Sequence, residues 1–256
     1  MPRSGPLLSE PQWKKIEPLL PLPPKQPRGG RPWTENRRVL EGILWILRSG
    51  APWKYLPKEY PHPSTCWRRL RDWEEQDIWL KIWRTFLGEL NERQQLKWSE
   101  SFLDGSFAPA KKGAKWMVVV DGAGVPLGKH LDSASPAEVK LAEKTLAAIR
   151  VPTRGRPRQK PERMIGDKAY DSDPLRTRLR HRGIALIAPH KRNRVRPPTQ
   201  DGRALRRYRR RWIVERTIAW LGNFRRLVVR WDRSATIYQA FFHIACLMIV
   251  LRRVVQ

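Results

Sequence analysis

Three acids set the chemical question. Glu215 is the single carboxylate in "LRRYRRRWIVERTIAWLGNFRRL", Leu205 to Leu227, a stretch that reads as one amphipathic helix carrying eight arginines. Asp104 lies in "SFLDGSFAPA" and Asp167 at the end of "ERMIGDKAY". Carboxylates drawn from distant parts of a chain can hold divalent metal, and an all-oxygen ligand set suits Mg²⁺, with Mn²⁺ as a substitute. Two such ions roughly 4 Å apart, with Asp104 bridging, acidify an attacking water or hydroxyl and stabilise a leaving oxygen in an in-line displacement at phosphorus.

Each acid also has an ordinary role to be weighed. Asp167 could cap the turn that follows it, but Asp171 and Asp173 are better placed for capping. Glu215 could pair with Arg211 at i, i+4, worth about 0.3 kcal/mol in the weaker orientation. Asp121 is fully explained by its Asp-Gly turn and is left out of the site.

Charge says what such a site would act on. Fifty-two Lys and Arg against twenty-four Asp and Glu give a net charge of +28 over 256 residues. A field of that size attracts a polyanion, most often nucleic acid. The start "MPRSGPLLSEPQWKK" has no apolar signal region, and the run "AFFHIACLMIVL", Ala240 to Leu251, is expected to be a buried helix too short to span a bilayer. Cys66 and Cys246 form no C-x-x-C, and no Cys/His cluster surrounds His62, His130, His181, His190 or His243, so neither zinc nor disulfides are signalled. A reduced, intracellular, cytoplasmic protein without membrane contact is expected.

The elements that must position these residues divide into two halves. Nine of the thirteen tryptophans precede residue 100, and Val39, Leu40, Ile43, Leu44 and Leu47 recur at helical spacing. Thr34 is the expected N-cap of that helix, and Gly50 and Pro52 stop it. A second helix, "TCWRRLRDWEEQDIW", is expected to start with Ser64 as its cap, and a third to run from Trp79 to Leu90. Helix, Gly/Pro turn, then a helix whose first turns carry Arg68, Arg69 and Arg71 is the pattern of a helix-turn-helix set into the major groove. A plain helical bundle with core tryptophans and solvated arginines fits the same pattern; the charge favours DNA. "PLPPKQPRGGRPW", Pro21 to Trp33, reads as an extended basic linker.

From Phe102 the signal turns to strands. One holds Asp104, a second runs Lys115 to Val120, and Asp121-Gly122 turns the chain into a third. "SPAEVKLAEKTLAAI" reads as a helix opened by a capping box, with Ser135 at the N-cap, Pro136 at N1 and Glu138 at N3. A strand ending at Asp167, a helix capped by Asp173 with Pro174 at N1, the strand "IALIAP", a basic loop with Lys191 and Arg192, the Glu215 helix and the apolar final helix complete the order. Three antiparallel strands followed by helix-strand units is the ribonuclease H-like arrangement, an α/β mixed sheet flanked by helices. In it the first and fourth strands are neighbours. Asp104 and Asp167 then face each other, and a helix across the sheet brings Glu215 to the same point. Domains are expected at 1–98, a small all-helical DNA-binding unit, and 99–256, the ribonuclease H-like catalytic unit.

"DGSFAPA", "GDKAYDSDPLR" and "YRRRWIVERTIAWLGNFRRL" resemble the DDE transposases of bacterial insertion sequences, specifically the IS5 group of the IS4-like superfamily. "LLSEPQWKKIEPLLP" with "GAPWKYLP" resembles that group's helical N-terminal domain, so the likeness covers nearly the whole chain. It implies a Mg²⁺-dependent enzyme that cuts at the ends of its own element and joins the freed 3′ ends to target DNA, with element ends and target as double-stranded DNA partners and a homodimer in the synaptic complex. Asp104, Asp167 and Glu215 match the DDE positions; Tyr208 and Arg211 match the Tyr and Arg that precede the Glu. The basic residue seven positions after the Glu is Gly222 here, leaving Arg225 or Arg226 to serve. The stretch "APAKKGAKWM" is shorter than in similar proteins, which puts activity in question.

On this reading Arg206, Arg207, Arg209 and Arg210 track the DNA backbone, each neutralised phosphate steepening the salt dependence, and Arg211 steadies the transferring phosphate. Two other classes compete: a DNA-binding regulator derived from such an enzyme and unable to cut, and a structure-specific nuclease of the same fold. The short first hairpin favours the former; the helix-turn-helix argues against the latter.

Overall fold

The computed structural model describes residues 7–23, 32–109 and 113–256. The expected linker therefore falls partly outside the described residues, as do residues 110–112 between the first two strands. In chain order the elements are α1 (Glu10–Ile16), α2 (Asn36–Ser49), α3 (Pro63–Glu75) and α4 (Ile78–Glu92); β1 (Ser101–Ala108), β2 (Ala114–Asp121) and β3 (Pro126–Ser133); α5 (Glu138–Ala147), β4 (Arg163–Ile165), α6 (Asp173–His181) and β5 (Ala185–Ile187); then α7 (Gly202–Arg206), a 3-10 turn (Arg207–Arg211), α8 (Trp212–Gly222), α9 (Arg225–Val228) and α10 (Ala235–Val254).

These elements form two compact units, Met1–Trp83 with Asn223–Gln256, and Arg84–Gly222. In this first unit α10 lies against α3, and α2 lies against both α3 and α9. Val39, Leu40, Ile43, Leu44 and Leu47 are all buried, as their spacing requires, and Gly50 closes α2 in the left-handed conformation at φ 71°. α10 is 20 residues, long and apolar enough by length and composition to cross a membrane, which corrects the expected short run; most of it is buried inside the protein. Its buried His243 lies 2.9 Å through Nδ1 from both carboxylate oxygens of Glu74 on α3.

The second unit holds a five-stranded mixed sheet in the order β3-β2-β1-β4-β5. β1 is antiparallel to β2, and β2 to β3; β4 runs parallel to β1, and β5 to β4. α5 packs on β3 and β2, and α8 on β1 and β2. The Asp121 side chain accepts bonds from the Ala123, Val125 and Lys97 backbone amides, the turn role read from its Asp-Gly pair.

Helix starts differ from the expected ones by one or two residues. Proline suits the first helical turn, whose amide needs no intrahelical partner, and at α3 the cap accordingly falls on the residue before it. His62, not Ser64, caps α3, its Nδ1 accepting from the Ser64 amide with Pro63 at N1. Ser172, not Asp173, caps α6, with Oγ accepting from the Leu175 amide. α2 has Glu35 rather than Thr34 at its N-cap. α5 starts two residues later than expected with Ala137 at the N-cap, so no capping box forms and the Glu138 carboxylate is released for other use.

Leu205 to Leu227 is not one helix. It is α7, the 3-10 turn, α8 and α9, broken where side chains are tied to distant partners and again after Gly222. β4 ends at Ile165, two residues before Asp167.

Candidate active site

Asp104 sits in the middle of β1, opposite Val118 of β2, on the strand whose first residues pair with β4. It is 9% exposed. Burial raises its carboxyl to about 6, with the negative fields of Glu138 and Asp167 acting in the same direction; the Arg211 guanidinium and the Gly105 amide partly offset this. A positive partner stabilises such a carboxylate in its charged form. That partner is Arg211, whose Nη2 donates to Asp104 Oδ2 at 2.7 Å.

Asp167 follows β4 and caps a short 3-10 turn, Oδ1 accepting from the Ala169 amide at 2.8 Å. The capping role expected as its ordinary alternative is therefore present, while its second oxygen has no hydrogen bond among the described residues. A cavity of ≈ 490 Å³ is lined by Asp167, Glu138, Lys191 and Arg192 among others. Glu138 was assigned to a capping box by its sequence. Instead its Oε2 accepts from the hydroxyl of Tyr170 at 3.1 Å, and Tyr170 is completely buried. Burial first, then the charges of Glu138 and Asp104, drive the Tyr170 hydroxyl far up, so it is a fixed donor at any ordinary pH.

Glu215 stands in the first turn of α8 with its side chain 54% exposed, ion-paired to Arg211 one turn earlier. The i, i+4 pair expected as its ordinary role is therefore present, and Arg211 lies between Glu215 and Asp104 and bonds to both. Among the described residues no three Asp, Glu, His or Cys side chains are close enough to hold one metal ion together. The donor set itself suits a hard cation, being all oxygen, with a buried member whose charge already requires a positive neighbour. Arg211 meets that requirement, and its Nε is buried without a hydrogen-bond partner among the described residues.

The other residues expected to contact DNA are sorted by their surroundings. Arg207 and Arg210 both pair with Glu100, a buried acid that sequence reading passed over, with Arg210 Nη1 at 2.6 Å and its Nη2 on the Gly122 carbonyl. Arg206 and Arg209 are exposed and Tyr208 half-buried. Lys191 and Arg192 point outward, although the Lys191 amide is tied to Asp171. In the first unit Arg68 is exposed, next to a cavity of ≈ 540 Å³ that it lines with Trp53 and Trp67. Arg71 pairs with Asp72 and lies over the Trp67 ring. Arg69 is buried, donating to Asn36 Oδ1 at 2.5 Å with its guanidinium 3.7 Å from the Trp33 ring, so it braces the unit rather than reaching outward as expected. Arg226 is likewise buried in the first unit and paired with Asp232, which leaves exposed Arg225 as the basic residue after Gly222.

Residues 94–251 match the family model of the transposase DDE domain, and residues 8–83 that of a putative transposase of the IS4/5 family. The chain is 38% identical over 152 residues to the putative transposase for insertion sequence element IS402 of Burkholderia cepacia, covering 57% of this chain and 68% of that one. It is 41% identical over 106 residues to an uncharacterized 16.2 kDa protein of the same element, covering 40% and 71%. With the putative transposase for element IS6501 of Brucella ovis it shares 35% identity over 91 residues, covering 35% and 67%.

Proposed function

Since the chain belongs to the IS4/5-like DDE transposases of insertion sequences, we propose that it recognises the terminal inverted repeats of its own element, cleaves phosphodiester bonds there and transfers the freed 3′ ends to target DNA. The observation that carries this reading is Asp104, a buried carboxylate raised to about 6 and joined through one arginine to the family's third acid position.

Asp104, Asp167 and Glu215 are the residues that would hold Mg²⁺, or Mn²⁺ in its place. Bound there, divalent ions supply acidification of the attacking hydroxyl and stabilisation of the leaving oxygen. The protein's own contribution is placement. β1 and the end of β4 are parallel neighbours, so the backbone fixes Asp104 and Asp167 before any ligand arrives, which limits reorganisation in the reaction. Arg211 offers a planar fork already at the site, suited to two parallel bonds with a phosphate once its bonds to the acids are exchanged. Tyr170 holds Glu138 beside these groups. A ribonuclease H-like fold for Arg84–Gly222 and a helix-turn-helix role for α2 and α3, with Arg68 toward the bases, complete the proposal; the enzyme would work as a dimer on paired ends, in the cytoplasm at the nucleoid.

A second reading, a DNA-binding derivative that no longer cuts, is favoured by the short connection between β1 and β2, which pair out to Ala108 opposite Ala114. One experiment separates them: the full chain with labelled plasmid carrying or lacking candidate element ends, in Mg²⁺, Mn²⁺ or chelator. End-dependent, metal-dependent nicking supports the enzyme. Tight end binding without nicking supports the derivative, and end-independent nicking a nuclease.

A further inference from the structure

We infer that Glu100 is a positioning residue that sets the register of the arginine-rich turn, so that Arg207 and Arg210 serve the fold while Arg206 and Arg209 grip phosphate. The inference rests on the proposed reaction only for its cleavage readout. It starts from the geometry of a 3-10 turn, in which about three residues complete one rotation and side chains at i and i+3 stand one above the other.

Residues Arg206 to Arg211 read Arg-Arg-Tyr-Arg-Arg-Arg, and that geometry divides them into three stripes. Arg207 and Arg210 form one, and both reach Glu100. Tyr208 and Arg211 form the next, and Arg211 reaches Asp104. Arg206 and Arg209 form the third; these two and the Arg207, Arg210 stripe are all exposed, but of these two stripes only the third has no ion pair among the described residues.

Helix type matters to the site. From Arg207 to Arg211 a 3-10 turn carries the side chain about 120° past a full rotation, whereas an α-helix would carry it only about 40° past. In α geometry Arg211 would share the face of Arg207 and turn toward Glu100 instead of Asp104. Glu100 holds the turn in place, because its carboxylate is 2% exposed and two guanidiniums are its compensation. A buried charge left unpaired is strongly disfavoured. Glu100, the residue before β1, and Asp104 within it are also an even number of residues apart, and an extended chain points such residues to one face. Two carboxylates on one extended segment thus receive two stripes of one turn. Losing the first contact releases the second, and with it the start of α8 that carries Glu215.

The test uses the full chain and two probes, a random-sequence duplex for affinity across salt concentrations and an element-end duplex for single-turnover cleavage in Mn²⁺. Each arginine that neutralises a phosphate adds close to one unit to the slope of log affinity against log salt. Arg206→Ala with Arg209→Ala is expected to flatten the slope by about two, and Arg207→Gln with Arg210→Gln to leave it unchanged. Glu100→Gln is expected to lower the maximal cleavage rate of folded protein at least ~10-fold, the half-saturating DNA concentration changing less than ~3-fold, with Glu100→Asp recovering part of the rate. The inference is overturned if the Arg207, Arg210 pair flattens the slope as its neighbours do, or if folded Glu100→Gln cleaves at the wild-type rate. Should Glu100→Gln not fold, the exposed-side pair Arg207→Gln with Arg210→Gln carries the rate arm. If the wild type itself does not cleave, the proposed reaction fails while the slope arm still decides the stripe assignment.

Discussion

Asp104 and Asp171 are both buried acids, and each has an arginine partner, yet their carboxyls are displaced in opposite directions. Burial opposes the charge of both. At Asp171 it is outweighed by the Lys191 amide, His190 and Arg176, and the carboxyl falls to about 2. At Asp104 burial prevails, because two further acids stand near and only Arg211 and one amide answer it, and the carboxyl rises to about 6. The lesson is that burial alone does not mark a site. A buried acid surrounded by donors is a staple, here fastening the loop of Lys191 and Arg194 to α6; a buried acid short of donors has capacity left for a ligand.

The comparison breaks most visibly under deletion of each acid. Asp104→Asn is expected to reduce end cleavage at least ~100-fold while leaving duplex affinity and the folded state intact, as loss of a metal ligand should. Asp171→Ala strands Arg176, itself buried, and is expected to cost about 3–5 kcal/mol with the cleavage rate per folded molecule largely kept. Denaturant titration with single-turnover cleavage on both variants checks this. Loss of cleavage without loss of stability in Asp171→Ala would reverse the two roles.

A pH series sharpens the contrast. Asp104, raised from an ordinary value near 3.8 to about 6, retains in the folded state a proton the unfolded chain has released, so its contribution makes stability fall as pH rises between about 4 and 6. Asp171, lowered from near 3.8 to about 2, contributes stability that is present above about 4 and lost as pH falls toward 2. Melting temperatures of wild type, Asp104→Asn and Asp171→Ala across that range should show the first slope vanish in one variant and the second in the other.

The smallest effect is expected at Glu215. Its exposed pair with Arg211 is of the kind worth about 0.3–0.5 kcal/mol, so Glu215→Gln should lower the metal-free melting temperature by a degree or two at most. The same variant should erase any rise in melting temperature caused by Mn²⁺, as linkage requires of a lost ligand. An undiminished Mn²⁺ shift would leave Glu215 a surface ion-pair partner and nothing more.

What could be read from the sequence was local. The α2 core stripe, the Gly50 stop, the Asp121 turn and the strand order that sets β1 beside β4 follow from hydrophobic period and turn chemistry, which neighbours in sequence already express. So Asp104 and Asp167 could be brought near each other before any coordinates. Caps were less legible, since Ser64, Asp173 and Ser135 each gave way to a neighbouring cap, His62, Ser172 and Ala137, and the last of these shifts freed Glu138 for Tyr170. The arginine-rich stretch could not be resolved at all, because a row of arginines has the same local preference whichever of them faces inward. Glu100, 107 residues before Arg207, selects that face. Glu74 likewise gives His243 a charged partner inside an apolar helix, 169 residues away. Desolvation and ion pairing depend on what surrounds a group in space, so only the tertiary structure decided which charges are spent on the fold and which are left for function.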